Sequence, residues 1–118
     1  MMKDNTNIKE KANVKEKAVE NKIKKWLKDK NYWFFKVHGS IFQPSGIPDI
    51  LACINGKFVA IEVKRTKGGV VSSLQKAQIE KIKENGGIAG VANSMEEFLE
   101  ILKEGKLLWN YININKNY

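Results

Sequence analysis

Apolar residues first recur with a helical period between about Val14 and Lys30, where Ala18, Val19, Ile23, Trp26 and Leu27 share one broad face. Glu20 lies beside that stripe, so an acid points roughly towards the expected core. Asn31 ends the helix, and Tyr32–Val37 (YWFFKV) has the aromatic and β-branched content of a first strand. His38–Pro48 (HGSIFQPSGIP), with two glycines and two prolines, is a loop. Two apolar runs then flank Asn55-Gly56, a pair suited to the type I′ turn because that turn needs positive φ at both positions. After a glycine-hinged connection (Thr66–Ser72), Ser72 or Ser73 can cap a helix through about Glu84, and Asn85-Gly86-Gly87 stops it. Ile88–Ala92 (IAGVA) is a short strand. Ser94 with Glu97 forms a capping box for a last helix that carries Phe98, Leu99, Ile101 and Leu102 and stops at Gly105. The tail LLWNYININKNY alternates partly, as an edge strand or an interface would.

The pattern predicts the order α-β-β-β-α-β-α. The expected fold is α/β, a mixed central sheet of about four strands with helices on both faces. Residues 1–13 are polar and lysine-rich and are expected to be a flexible basic N-terminus, leaving 14–118 as a single domain.

The hairpin carries three charges that its apolar pattern does not explain. A two-residue turn makes Ile54 face Lys57, and the same register sets Asp49 opposite Glu62, with Cβ atoms about 5 Å apart. Lys64 shares the face of Glu62, as do Leu51, Cys53, Phe58 and Ala60. Ile50, Ala52, Ile54, Val59, Ile61 and Val63 form the other face, so both faces read as covered. Opposed carboxylates repel unless a cation lies between them. Lys64 alone can provide it in a salt-bridged cluster. A hard divalent cation, Mg²⁺ or Mn²⁺, is the alternative the pattern favours, with the carbonyl of Val63 as a further oxygen ligand. Water bound to such a cation becomes acidic, and a neighbouring ammonium can orient it or steady charge on a phosphoryl oxygen.

Composition points to the same substrate class. Lys and Arg outnumber Asp and Glu by 21 to 13, a net charge of +8, which suits a polyanionic partner, nucleic acid first. One cysteine, Cys53, and one histidine, His38, exclude an intramolecular disulfide and a Cys- or His-rich metal centre. Cys53 reads as a small buried apolar residue. No run is long enough to span a membrane, and the charged N-terminus is no secretory signal, so a cytoplasmic protein without a small-molecule cofactor is expected.

At Pro48-Asp49 and Glu62-Val63-Lys64 the chain resembles the PD-(D/E)xK nuclease superfamily, and over roughly Glu20 to Leu102 it is similar to the virus-type, stand-alone VRR-NUC family. The preceding glycine, the Gly-Gly hinge, the downstream glutamine and the NGG stop make the likeness more specific than the short motif alone. The resemblance implies metal-dependent hydrolysis of DNA phosphodiesters. It implies Asp49, Glu62 and Glu20 as metal ligands, with Glu16 as the substitute for Glu20. Lys64 activates the attacking water, and Gln75 corresponds to the glutamine that opens the second helix. For Gln75, a helix-start residue without chemical role is the alternative. The front half is also similar to archaeal Holliday junction resolvases, with His38-Gly39-Ser40 where those have a basic Gly-Ser loop. That likeness implies a homodimer cutting branched DNA on opposing strands. Lys36, His38, Ser40, Gly46, Arg65 and Lys67 surround the site and are the expected DNA contacts, although a strand end in solvent accounts for the cations equally simply. Trp26, Tyr32, Trp33, Phe34 and Phe35 are expected in the core or a dimer contact. The competing function is a catalytically silent nucleic-acid-binding module, which has no use for mutually repelling carboxylates.

Overall fold

In the computed structural model, which describes residues 4–65 and 70–107, the elements follow the expected order. They are α1 (Asp4–Asp29), β1 (Trp33–Lys36), β2 (Ile50–Ile54), β3 (Lys57–Val63), α2 (Ser73–Glu84), β4 (Ile88–Ala92) and α3 (Met95–Glu104). Helix α1 starts well before Val14, so most of the segment expected to fray continues the helix. The alternating tail and Lys67 lie outside the described residues.

Asn55 and Gly56 both take positive φ, 50° and 82°, as the turn requires. The register follows from it: Ile54 pairs with Lys57 and Ile50 with Ile61. β1 adds antiparallel to β2, with Lys36 opposite Ile50. β4 lies parallel to β3 on its other side, reached through α2, giving the sheet order β1-β2-β3-β4. β3 outruns β2, pairing Glu62 with Val91 and Val63 with Ala92 after the hairpin ladder has ended.

One sheet face, Ile50, Ala52, Ile54, Val59, Ile61 and Val63, packs under α1 and α3 as the main core. Ile23 and Leu27, one helical turn apart, are fully buried there with Phe98 and Leu102. Trp26 meets the Phe98 ring edge-on, with centroids 5.4 Å apart, which ties α1 to α3. Helix α2 covers the opposite face through Ile79 and Ile82 against Ala60 and Ala89. That cover reaches only the β3–β4 half. Trp33, Phe35 and Cys53 on the β1–β2 half, and Phe58 at the start of β3 opposite Cys53, are exposed. The expectation of a buried Cys53 is therefore wrong: one helix is too narrow to cover four strands.

Ser72, not Ser73, caps α2. Its Oγ accepts the Gln75 N–H while Gln75 Oε1 accepts the Ser72 N–H, so the box is closed by a glutamine. Ser94 caps α3 through the Glu97 N–H, but the Glu97 carboxylate reaches back to the Asn93 N–H, one residue before the cap.

Candidate active site

Where β3 runs on beyond β2, the Val63 N–H has no strand partner. Asp49, the residue before β2, supplies one: its Oδ2 accepts that N–H at 2.8 Å, and its own carbonyl accepts the Val37 N–H at 2.7 Å. Asp49 thus closes the end of a three-strand ladder, which holds its other oxygen, Oδ1, in a defined place. Pairing of Ile50 with Ile61 puts Asp49 and Glu62 side by side at that end. Glu62 is only 2 % exposed. Its Oε2 accepts from Gln75 Nε2 and lies 3.3 Å from Lys64 Nζ, while its Oε1 is buried without a hydrogen-bond partner. The capping box fixes Gln75 for this contact, because its Oε1 is held by the cap and its Nε2 points to the strand.

Glu20 stands elsewhere. Strand residues alternate between faces, so Lys36, opposite Ile50, reaches the α1 side of the sheet. There its Nζ lies 2.9 Å from Glu20 Oε1 and 3.6 Å from Asp49 Oδ1. Glu20 Oε2 is paired with Lys17 and Lys24 at 3.0 and 3.1 Å. Glu62 and Gln75, by contrast, belong to the α2 side. Glu20 therefore joins the cluster through Lys36, not directly, and among the described residues no three acidic, histidine or cysteine side chains converge on one point. Glu20, expected as a metal ligand, meets three ammonium groups, those of Lys17, Lys24 and Lys36.

These surroundings split the two buried glutamates. Burial alone would raise Glu20, but hydrogen bonds from Lys36, Lys17 and Lys24 outweigh it and hold the carboxyl down at about 2. Burial tends to lower the Lys36 ammonium, yet the hydrogen bond to Glu20 and the charge of Asp49 raise it. For Glu62, burial and then the charge of Asp49 push the carboxyl up to about 7, against the opposing pull of Lys64. Between its ordinary 4.5 and about 7, native Glu62 keeps a proton that the unfolded chain releases, so stability falls as pH rises through that window. In EDTA, Glu62→Gln is expected to be more stable than wild type at pH 8 by on the order of 2 kcal/mol, with the gap closing near pH 4, as read by urea unfolding. Glu20 runs the other way: its contribution is present above 4.5 and is lost as pH falls towards 2.

The donor set suits a hard divalent cation. Asp49 and Glu62 bring oxygen atoms to one strand end, and the unpartnered Glu62 Oε1 leaves a buried acceptor to be satisfied. A cavity of about 300 Å³ leads to Asp49, with Gly39, Ser40, Gln43, Gly46 and Gln75 among its lining. A hollow of similar size beyond the other end of the hairpin, between Phe58 and Asn85, has no carboxylate in its lining.

The remaining expected DNA contacts fare differently. His38 and Arg65 are exposed beside the site. Ser40 Oγ accepts the Phe42 N–H at 3.0 Å and so shapes the loop. Gly46 is a packing residue: at φ 83° a Cβ would lie 2.6 Å from the Leu74 carbonyl carbon and 2.9 Å from the Gln75 nitrogen. Gly46→Ala is expected to cost about 2 kcal/mol or more, from positive φ and backbone overlap together, measured as a lowered urea midpoint. Lys36, expected as a DNA contact beside the site, lies between Glu20 and Asp49 on the α1 side of the sheet.

A family model described as archaeal Holliday junction resolvase (Hjc) matches residues 11–114. No curated protein and no solved structure matches the chain.

Proposed function

Since the chain belongs to the archaeal Holliday junction resolvase family, we propose that it is a structure-selective endonuclease that hydrolyses phosphodiesters of four-way DNA junctions with Mg²⁺ or Mn²⁺. The family is one of junction-resolving nucleases, and resolvase nucleases of this kind are generally metal-dependent. The observation that carries the reading for this chain is the pair Asp49 and Glu62 at one strand end, with Glu62 Oε1 buried and unpartnered. The finer likeness of the hairpin and glycine hinge to VRR-NUC nucleases fits the same chemistry.

Asp49 and Glu62 would hold the cation, with the carbonyl of Val63, which in a strand points to the same side as the N–H bound by Asp49. When bound, the cation supplies Lewis acidity towards the phosphodiester and its water. Gln75 keeps Glu62 oriented through its amide. Lys64, beside Glu62, is placed to orient the attacking water and to balance charge developing on the phosphoryl oxygens. Lys36, anchored by Glu20, holds Asp49 in place from the opposite side. His38 and Arg65, exposed beside the site, would supply cationic or hydrogen-bonding contacts to flanking phosphates.

Action as a homodimer on opposing strands is part of the proposal. The uncovered part of the α2-side sheet face, carrying Trp33, Phe35 and Phe58, 62 %, 52 % and 46 % exposed, supplies an apolar surface for it. The test is cleavage of synthetic four-way junctions, flaps, linear duplex and single strands in Mg²⁺, Mn²⁺ or EDTA, with solution mass measured alongside. Metal-dependent paired nicking of the junction by a two-chain species is the expected result. Failure to cut any substrate would leave only the binding-module reading, and a one-chain mass would remove paired incision.

A further inference from the structure

Two apolar side chains stand almost wholly in solvent beside the site. Ile41 is 92 % and Phe42 91 % exposed, at the tip of the loop between β1 and β2. The tip is nonetheless built: Ser40 Oγ accepts the Phe42 N–H, and the Gln43 N–H donates to the Ser40 carbonyl at 3.4 Å. At its base the Val37 N–H binds the Asp49 carbonyl, Gly46 rests against the backbone of Leu74, and Gln78 Nε2 donates to the Ser45 carbonyl at 3.5 Å. The residues on either side of the tip, Ser40 and Gln43, both line the cavity that leads to Asp49.

We propose that Ile41 and Phe42 form an apolar wedge that stacks on the open base-pair faces at the branch point of junction DNA. The proposal rests on the nuclease reading above, because it requires a DNA phosphodiester to be delivered to Asp49 and Glu62. DNA whose phosphate reaches Asp49 through this cavity meets Ser40 and Gln43, the residues that flank the tip. A chain of net charge +8 favours a polyanion at a tip whose flanking residues line the cavity with Asp49. In continuous duplex every base face is covered by its neighbour. At a branch point the terminal pairs of the arms offer uncovered faces, and apolar side chains inserted between base steps are an established way to occupy them. Stacking of this kind tolerates any base, so it selects a structure without reading a sequence. The wedge thereby gives a small domain a means of recognising a branch while its cations hold the arms.

The test compares wild type, the double variant Ile41→Ala/Phe42→Ala and Phe42→Trp, all in EDTA so that binding is read without cleavage. Probes are a four-way junction with 2-aminopurine at the branch and a linear duplex of equal length. The double variant is expected to lose about tenfold in junction affinity, the scale of one lost base–aromatic stack. Its duplex affinity, unfolding midpoint and solution mass should stay those of wild type, and its 2-aminopurine response should vanish. Phe42→Trp should retain affinity and response. Unchanged junction binding, an equal loss on duplex, or a change in solution mass each overturns the wedge. If wild type cleaves junctions while the variant binds them normally, the wedge alone fails; if wild type neither binds nor cleaves junctions, the nuclease reading fails with it.

Discussion

Asp49→Asn is expected to lower the rate of metal-dependent junction cleavage by on the order of 10³-fold while leaving junction affinity in EDTA near that of wild type. The asparagine is chosen because its carboxamide oxygen can still accept the Val63 N–H, so the strand end stays closed. What disappears is the negative charge and the anionic oxygen facing Lys36. The same change removes one of the two causes that push Glu62 up, so the Glu62 carboxyl is expected to titrate lower in the variant, which carboxylate NMR can follow. Cleavage persisting at the wild-type rate would remove Asp49 from the chemistry. Lost cleavage with an unchanged Glu62 titration would leave the activity effect standing but contradict the coupling between the two carboxylates.

The largest effect on stability is expected at Phe98, whose side chain is fully buried between α1 and α3. Phe98→Ala removes its ring from the core and its edge-on contact with Trp26. The expected cost is about 3–5 kcal/mol, the range for deleting a buried aromatic, and urea unfolding measures it. Against a total stability of about 5–15 kcal/mol for an ordinary domain, that change is a large share of what holds the fold together. Phe42→Ala, the same chemical change at a residue 91 % exposed, is expected to move the midpoint hardly at all. The contrast separates an aromatic that holds the fold from one free to meet a partner.

Pattern and local chemistry were enough for a great deal. The Asn55-Gly56 turn made the register computable, and the register made the neighbourhood of Asp49 and Glu62 computable. Ser72 or Ser73, and Ser94, marked two helix starts to within one residue because a cap is satisfied within its own four residues. The stripe Ile23, Leu27 and the residues Phe98 and Leu102 were legible as core by helical spacing. Glu20 illustrates where this stops. Its position on the inward face of α1 was readable, but whether it reached the end of the hairpin depended on which side of the sheet α1 covered. Lys36, pointing to that side, became its partner instead.

Cys53 and Gly46 fail to be legible for the same kind of reason. An alternating strand residue is buried only if another element lies over it, and α2 covers half the sheet. A glycine in a loop is required only if another backbone passes within van der Waals distance, as Leu74 does. By itself, then, the sequence determined the elements, their order, the turn, the caps and the pairing of two carboxylates across one hairpin. All of these depend on interactions between residues near in the chain or tied by a two-residue turn. The tertiary structure alone decided which face each helix covered, which ammonium met which carboxylate, and which apolar side chains stayed in water. Those outcomes rest on contacts between segments far apart in the chain, where alternation of strand residues between faces turns one packing choice into the presence or absence of a partner.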